Sequence, residues 1–518
     1  MHHCRLLDVR AALIGWILGV ASASCASAPV AAAANPATPN LQPDALQADV
    51  AILERSYRVL HPGLQRYLSA RQVDQAFAEL RREFNRPRPL ADAYLAFARF
   101  AAKIRCGHTY ANFFNQSKAI QQRLFEQTAR LPFYFRWLDG KMIVIRDFTD
   151  PAILPVGSEV TRINGIKSAA ILAALLPLAR ADGGNDAKRI DQMNVTGDSV
   201  YESFDIYYPL LFALKPGTVQ LTVRPPTATA ERTITAGTLT YQQRIAPIRA
   251  REEARGKGTE AEWEWRDLDD GAAYLRMPSW AMYQSKWDWR PWLDARLDAL
   301  AARSARALII DLRGNEGGED IGDEILKRIV NIDLPLAQNK RLVRYRAVPP
   351  DLLPYLDTWD PSFKDWGKEA TELAEPWVTA PPVHYFALAG EDASVDARTV
   401  IHPGQPHFSG RVFVLVDAAN SSATFQFAQV MQQNGLGTLV GEPTGGNRRG
   451  INGGAFFFLR LPNSGIELDL PLIGAFPKMP QPDAGLIPDV NAPTTAASIA
   501  AELDPAMDAV KQLLAQPH

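Results

Sequence analysis

Two apolar segments constrain this chain most, because each runs straight into a turn of glycine or small polar residues. They are Ala307 to Leu312, followed by Arg-Gly-Asn-Glu-Gly-Gly318, and Val412 to Val416, followed by Asp-Ala-Ala-Asn-Ser-Ser422. Short apolar runs rich in branched residues read as strands buried on both faces, and such strands belong in sheets covered by helices. The stretch from Trp263 to His518 keeps this rhythm, with strand-like segments at Ala272 to Leu275, Ala307 to Leu312 and Val412 to Val416. Helix-like segments fall at Trp289 to Arg303, Ile321 to Val330 and Ala423 to Gln433. The order predicts an α/β domain over 263–518. A proline- and aromatic-rich insert, 331–410, interrupts it, and long inserts serve as lids, binding loops or covers for a sheet edge.

Upstream, Ala51, Leu53, Tyr57 and Leu60 have helical spacing, so 35–110 reads as a helical region. It is broken at His61-Pro62-Gly63 and again at Pro87 to Pro89, and it ends in Cys106-Gly107-His108-Thr109. Asp139-Gly140, between two apolar runs, predicts a β-hairpin within 111–150. Over 151–236 come a strand at Glu159 to Ile163, an Asn164-Gly165 turn, a helix at Ser168 to Leu178 and a strand at Thr218 to Val223. This pattern resembles a PDZ-like β domain, with an extra helical piece near Asp186 to Phe212, and implies capture of peptide termini by strand addition. A purely structural β domain is the alternative. The charged stretch within 237–262 reads as a linker.

The chain has 518 residues, long enough for several domains with a large buried core. Lysine and arginine total 55 against 57 acidic residues, so there is no positive excess to displace counterions from nucleic acid. A nucleic-acid partner is not expected. Residues 1–34 run from an arginine-bearing start through apolar Ala11 to Val20 into small residues ending at Ala32-Ala33-Ala34, which is the order of a secretory signal peptide. The expected location is periplasmic or extracellular. The apolar run falls short of the roughly 20 residues a stable membrane span needs, and a lipid anchor at Cys25 is the weaker alternative, since Ser22 stands where such sites favour a bulky aliphatic. Of three cysteines, processing after Ala34 leaves only Cys106, so no disulfide framework follows. No sequence feature sets an oligomeric state.

The two turns also carry the candidate chemistry. Glycines ahead of a helix let a substrate approach backbone N–H groups, which makes Gly317 and Gly318 candidate oxyanion donors. The competing reading is a strand-ending turn closed by an Asp311–Arg313 salt bridge. Ser422 opens a helix whose dipole favours a developing negative charge, and the Ala423 N–H can join the donor set. The competing reading for a serine here is a helix cap, a role also open to Ser421. A serine hydroxyl needs a base, and His61, His108, His384, His402 and His407 are available. Cys106 beside His108 opens a cysteine-nucleophile alternative.

Taken together, Cys-Gly-His108-Thr, Leu-Arg-Gly-Asn-Glu-Gly-Gly318, Asn-Ser-Ser422-Ala, Val-Gly-Glu-Pro-Thr-Gly-Gly446 and Gly485-Leu-Ile-Pro-Asp489-Val resemble the tail-specific (C-terminal processing) serine protease family. The closer resemblance is to its tricorn-like branch, whose base is a histidine. It implies a ClpP/crotonase-like α/β protease domain beside an N-terminal helical domain and a PDZ-like domain, multidomain α+β overall. It also implies a Ser422 acyl-enzyme with His108 as general base, acting on proteins or peptides, with no metal or organic cofactor. The lysine-using branch of the family places its base where this chain has Asn447. Cys106 and Phe425 replace an aspartate and a glutamate common in the family, which leaves Glu442, Glu467 and Asp483 as candidates to orient His108. A non-catalytic peptide or apolar-ligand binding protein on the same fold, and an esterase using the same serine, are the rival functions.

Overall fold

The computed structural model describes residues 40–254, 263–336, 339–373, 375–388 and 400–516. The expected signal peptide, with Cys4, Cys25 and the Ala32–Ala34 site, lies outside these residues. The N-terminal region forms three helices, Pro43–Leu60, Ala70–Glu83 and Leu90–Lys103. Leu46, Val50, Leu53, Tyr57 and Leu60 recur every three or four residues along the first and are all fully buried. Ser69 starts the second with a reciprocal capping box to Gln72, and the third ends just ahead of the His108 loop.

The expected hairpin forms between strands Phe133–Leu138 and Lys141–Asp147. Asp139 and Gly140 both take positive φ, +49° and +72°, as a tight primed turn requires. The hairpin is not a separate connection. It joins Glu159–Ile163, Ile166–Lys167, Thr218–Arg224 and Arg232–Gly237 in one antiparallel sheet, with the helix Ser168–Leu175 packed against it. Asn164-Gly165 makes a second primed turn. The stretch expected to be a linker contains the helix Tyr241–Ala254. Its charge concealed a buried face made by Tyr241, Arg244, Ile245 and Ile248. Arg244 reaches inward to Asp205 at 2.9 and 3.2 Å and to the Phe133 carbonyl at 2.9 Å.

The C-terminal half holds two sheets. The first runs in the order Val490–Asn491, Thr438–Gly441, Arg411–Val416, Ala307–Asp311, Ala272–Arg276 and Glu264–Asp267, and is parallel except for the last pair. Helices cover both faces, so Leu308 and Ile310 enter one apolar cluster while Ala307 and Ile309 enter the other. This is the α/β arrangement expected over 263–518. Arg411–Val416 and Ala307–Asp311 are neighbours, so the serine turn and the glycine turn emerge together at the C-terminal edge of the sheet.

The second sheet is built on the hairpin Asn452–Arg460 and Glu467–Pro477. Segments of the 331–410 insert extend it on both sides, with Leu356–Asp357 on one edge and Asn339–Val343, Phe386–Leu388 and Ala370–Glu372 on the other. The insert thus covers a sheet edge, one of the roles open to it. The described residues from 40 to 516 pack as one compact unit, with one apolar cluster uniting the N-terminal helices, the antiparallel sheet and this second sheet. No described helix is long and apolar enough to cross a membrane.

Asp205 is almost fully buried and depends on Arg244 and Arg130 for its counter-charge. Arg244→Ala leaves that carboxylate short of its main partner and should lower stability by about 3–5 kcal/mol. Denaturant unfolding measures this. A loss under about 0.5 kcal/mol, the value of an ordinary surface change, would contradict the structural role given to this helix.

Candidate active site

The glycine turn is held by Asn315, which is fully buried. Its Nδ2 donates to the Met277 carbonyl at 2.8 Å and its Oδ1 accepts from the Gly317 N–H at 2.9 Å. The N–H of Gly317 therefore already has a partner, which departs from the donor role expected of it. Glycine is needed here for space and conformation. At Gly317, φ is +102° and an added Cβ would lie 2.8 Å from Ser422 Cβ; at Gly318, φ is +145° and a Cβ would lie 2.2 Å from the Trp280 carbonyl oxygen. Asp311 and Arg313 do form the salt bridge of the competing reading, at 2.7 Å, and Asp504 extends it. That bridge braces the base of the turn, and its presence does not displace the catalytic reading.

The serine turn is stitched to the glycine turn by buried polar groups. Asn420 Nδ2 donates to the carbonyls of Leu312 and Asn315, and Thr424 Oγ1 lies 2.9 Å from the Asn315 carbonyl. Ser421 occupies the N-cap position of the helix Ser422–Gln433, but its side chain does not cap. Its Oγ donates instead to the Glu316 carbonyl at 3.1 Å. The first-turn N–H groups, Ala423's among them, are thus left without a side-chain cap at the positive end of the helix. Ser422 has φ +51°, a left-handed conformation that costs a non-glycine residue about 1–2 kcal/mol. Strain of this kind persists where surrounding structure imposes it, commonly at functional sites. An ordinary helix cap has extended backbone geometry, so Ser422 is not one.

His108 is largely buried, with Nδ1 enclosed and without a hydrogen-bond partner. Its ring lies 5.8 Å from that of Phe456, and its Nε2 is 4.0 Å from where a Cβ on Gly453 would be. Burial lowers its pKa, opposed in part by the charge of Asp182. The ring is therefore neutral near pH 7, the form a base requires. No hydrogen bond joins it to Ser422 among the described residues. Glu442, Glu467 and Asp483 do not bond to it either. Glu442 accepts from Thr494 N, Glu467 pairs with Arg460, and Asp483 accepts from Asn447 and Gly184 N. The carboxylate that acts most strongly on His108 is Asp182, which accepts the Gly107 N–H at 2.8 Å. Nothing in the sequence singled it out, although the turn Asp182-Gly-Gly-Asn185 lies immediately ahead of the helical piece that starts at Asp186.

The other candidates have separate roles. His61 is a buried loop residue whose Nε2 lies 2.8 Å from Thr109 Oγ1, and burial lowers its pKa to about 3. His384 and His402 pair with Glu372 and Asp333, and His407 lies against the Ile329 carbonyl. Cys106 is buried, and burial raises its pKa to about 11, so it stays a thiol and is a poor nucleophile. Asn447 bridges the Asp182 carbonyl and Asp483, and Phe425 is a core side chain.

Residues 180–188 draw these loops together. Arg180 donates to the Gly107 carbonyl at 2.5 Å and pairs with Glu316 at 3.2 Å. Lys188, almost fully buried, reaches Glu316 at 2.6 Å and the Ala419 carbonyl at 2.8 Å. Asn185 donates to the carbonyls of Thr444 and Gly446. Desolvation by its neighbours works to raise the Glu316 pKa although its side chain is 48% exposed, but Lys188 and Arg180 together hold the carboxyl well below the usual range. One short segment thus anchors the histidine, glycine and serine loops and the Thr-Gly-Gly446 turn.

Residues 271–465 match the model of peptidase family S41. Mature CPAF complexed with lactacystin is similar over 91% of this chain and 98% of its own, with 17% identity and a TM-score of 0.60, which shows a shared fold. The photosystem II D1 C-terminal processing protease aligns over 91% and 97% of the two chains with 11% identity and a TM-score of 0.40. No curated protein sequence matches the chain. The matched segment carries both the glycine and the serine turn, so this part of the chain is similar to peptidase family S41, and the chain as a whole shares its fold with mature CPAF.

Proposed function

We propose that the chain hydrolyses peptide bonds through a Ser422 acyl-enzyme, with His108 as general base and the N–H groups of Gly318 and Ala423 holding the oxyanion. The observation that carries this is Ser422 itself, strained at an uncapped helix start with Gly317 packed against it. His108 takes the hydroxyl proton as the serine attacks the carbonyl carbon, then returns it to the leaving amine. Water repeats the cycle to release the acid. Asp182 fixes the His108 loop and opposes the loss of charge on the ring. Gly317, its N–H committed to Asn315, contributes the space in which the serine sits. The PDZ-like sheet presents substrate C-termini. An open serine–histidine contact also suits a binding protein on this fold, but catalytic hydrogen bonds are commonly loose without substrate.

A fluorophosphonate should add to Ser422, with intact mass and peptide mapping as the readout. Ser422→Ala and His108→Ala, shown to be folded, should lose the adduct and lower peptide hydrolysis by about 10⁴-fold or more. Absence of labelling in the folded parent would favour the binding reading.

The neutral form of His108 is the active one, and its pKa is lowered. Activity is therefore retained at neutral pH and is lost as pH falls through that depressed value. The acid limb of kcat/KM should have its midpoint below 6.5. Asp182→Asn keeps an acceptor for Gly107 but removes the charge that favours the imidazolium, so it should move the midpoint lower still. A midpoint above 7 in the parent, or an upward move in the variant, would remove His108 from the role.

We also propose that residues 1–34 direct export and are removed after Ala34. N-terminal sequencing of the exported protein should begin at Asn35. A mature form that retains Met1 would exclude this processing.

A further inference from the structure

The strand Asn452–Arg460 presents two different faces. Ala455, Phe457 and Leu459 are fully buried, while Phe456 and Phe458 on the other face remain partly open to solvent. Phe456 lies beside His108, with ring centroids 5.8 Å apart. On the neighbouring edge the insert adds Leu356–Asp357, pairing Leu356 with Leu459 and Asp357 with Phe458. Two residues later the chain brings Trp359 over this open face, 5.7 Å from Phe456 and 5.8 Å from Phe458. Phe363 braces Trp359 edge-on at 5.6 Å. The loop is fixed locally, since Asp360 N donates to Thr358 Oγ1 and Ser362 N to Asp360 Oδ1.

The indole could serve only to cover the sheet edge, in which case it would itself be covered. It instead keeps 58% of its surface exposed while its neighbours hold its position. Trp359, Phe456 and the His108 ring form an unbroken aromatic path from solvent to the proposed base. A rigid, partly exposed aromatic surface gains by covering apolar area and by ring stacking, and it pays little ordering entropy. Asp357 stands directly across the strands from Phe458, on the same face, and its charge disfavours an acidic side chain there.

We propose that Trp359, Phe456 and Phe458 form a subsite that binds a large apolar or aromatic side chain of an extended substrate segment, a few residues from the bond to be cleaved. The insert would then select substrates as well as close the sheet. This rests on the protease reading for the identity of the occupant as a peptide.

The test measures binding rather than turnover, in the Ser422→Ala chain. Fluorescein-labelled ten-residue peptides carry Phe, Leu, Ala or Asp at one position, which is walked along an otherwise constant Gly/Ser/Ala sequence. Fluorescence anisotropy should show at least one position where Phe binds about tenfold or more tighter than Asp. Trp359→Ala in the same background should reduce that preference to threefold or less, and Trp359→Phe should restore most of it. Circular dichroism and thermal unfolding check each variant, and Trp359→Gln, which keeps more of the side-chain volume, replaces the alanine variant if that does not fold. Equal binding of Phe and Asp at every position, or a preference that survives the loss of Trp359, overturns the subsite. Fluorophosphonate labelling of the parent keeps the two ideas apart. A labelled parent whose Ser422→Ala form shows no Trp359-dependent preference loses the subsite alone. An unlabelled parent whose Ser422→Ala form keeps the preference loses catalysis alone.

Discussion

The site depends on one carboxylate held between two cations. Glu316 immediately precedes Gly317, and its side chain meets Lys188 and Arg180, both carried by a segment distant in sequence. Arg180 also holds the Gly107 carbonyl and Lys188 the Ala419 carbonyl, so the three loops that must meet share a single charged knot. A charged pair on an open surface is worth little. This one gains from the near-complete burial of Lys188 and from carbonyls that take up its remaining hydrogen-bonding capacity. Loss of Glu316 would leave Lys188 buried without its counter-charge and the glycine and histidine loops without their shared anchor.

The backbone stores a second constraint. Ser422 is held left-handed, and the buried amides of Asn315 and Asn420 with the Thr424 hydroxyl over-determine the loops around it. Such a network holds the loop backbone fixed, which is what the proposed oxyanion donors would require. The His108 ring adds the complementary condition. Burial favours its neutral form, and the charge of Asp182 opposes that in part.

Much of the α/β domain was legible because its signals are local. Buried strands ending in glycine or small polar turns, and a serine at a helix start, can be read from adjacent residues, and the strand pairing of Ala307–Asp311 with Arg411–Val416 places both turns at one edge. The primed turns at Asp139-Gly140 and Asn164-Gly165 were legible for the same reason. What was hidden depends on contacts distant in sequence. Arg180, Asp182 and Lys188 look like ordinary surface charges until the fold carries them to the site. The helix Tyr241–Ala254 read as a linker because its charges mask a narrow buried face, and its Arg244 is an inward-facing member of that face. Ser421 fitted the cap position by type, but the neighbouring Glu316 carbonyl claims its hydroxyl.

Whether Ser422 and His108 act as one catalytic unit is decided by a double-mutant cycle. The value of kcat/KM for one peptide substrate would be measured in the parent, Ser422→Ala, His108→Ala and the double variant. Groups that act together do not have additive effects, so the double variant should be about as slow as either single one. Losses that multiply in the double variant, or a Ser422→Ala chain that keeps the parent's rate, would contradict joint action.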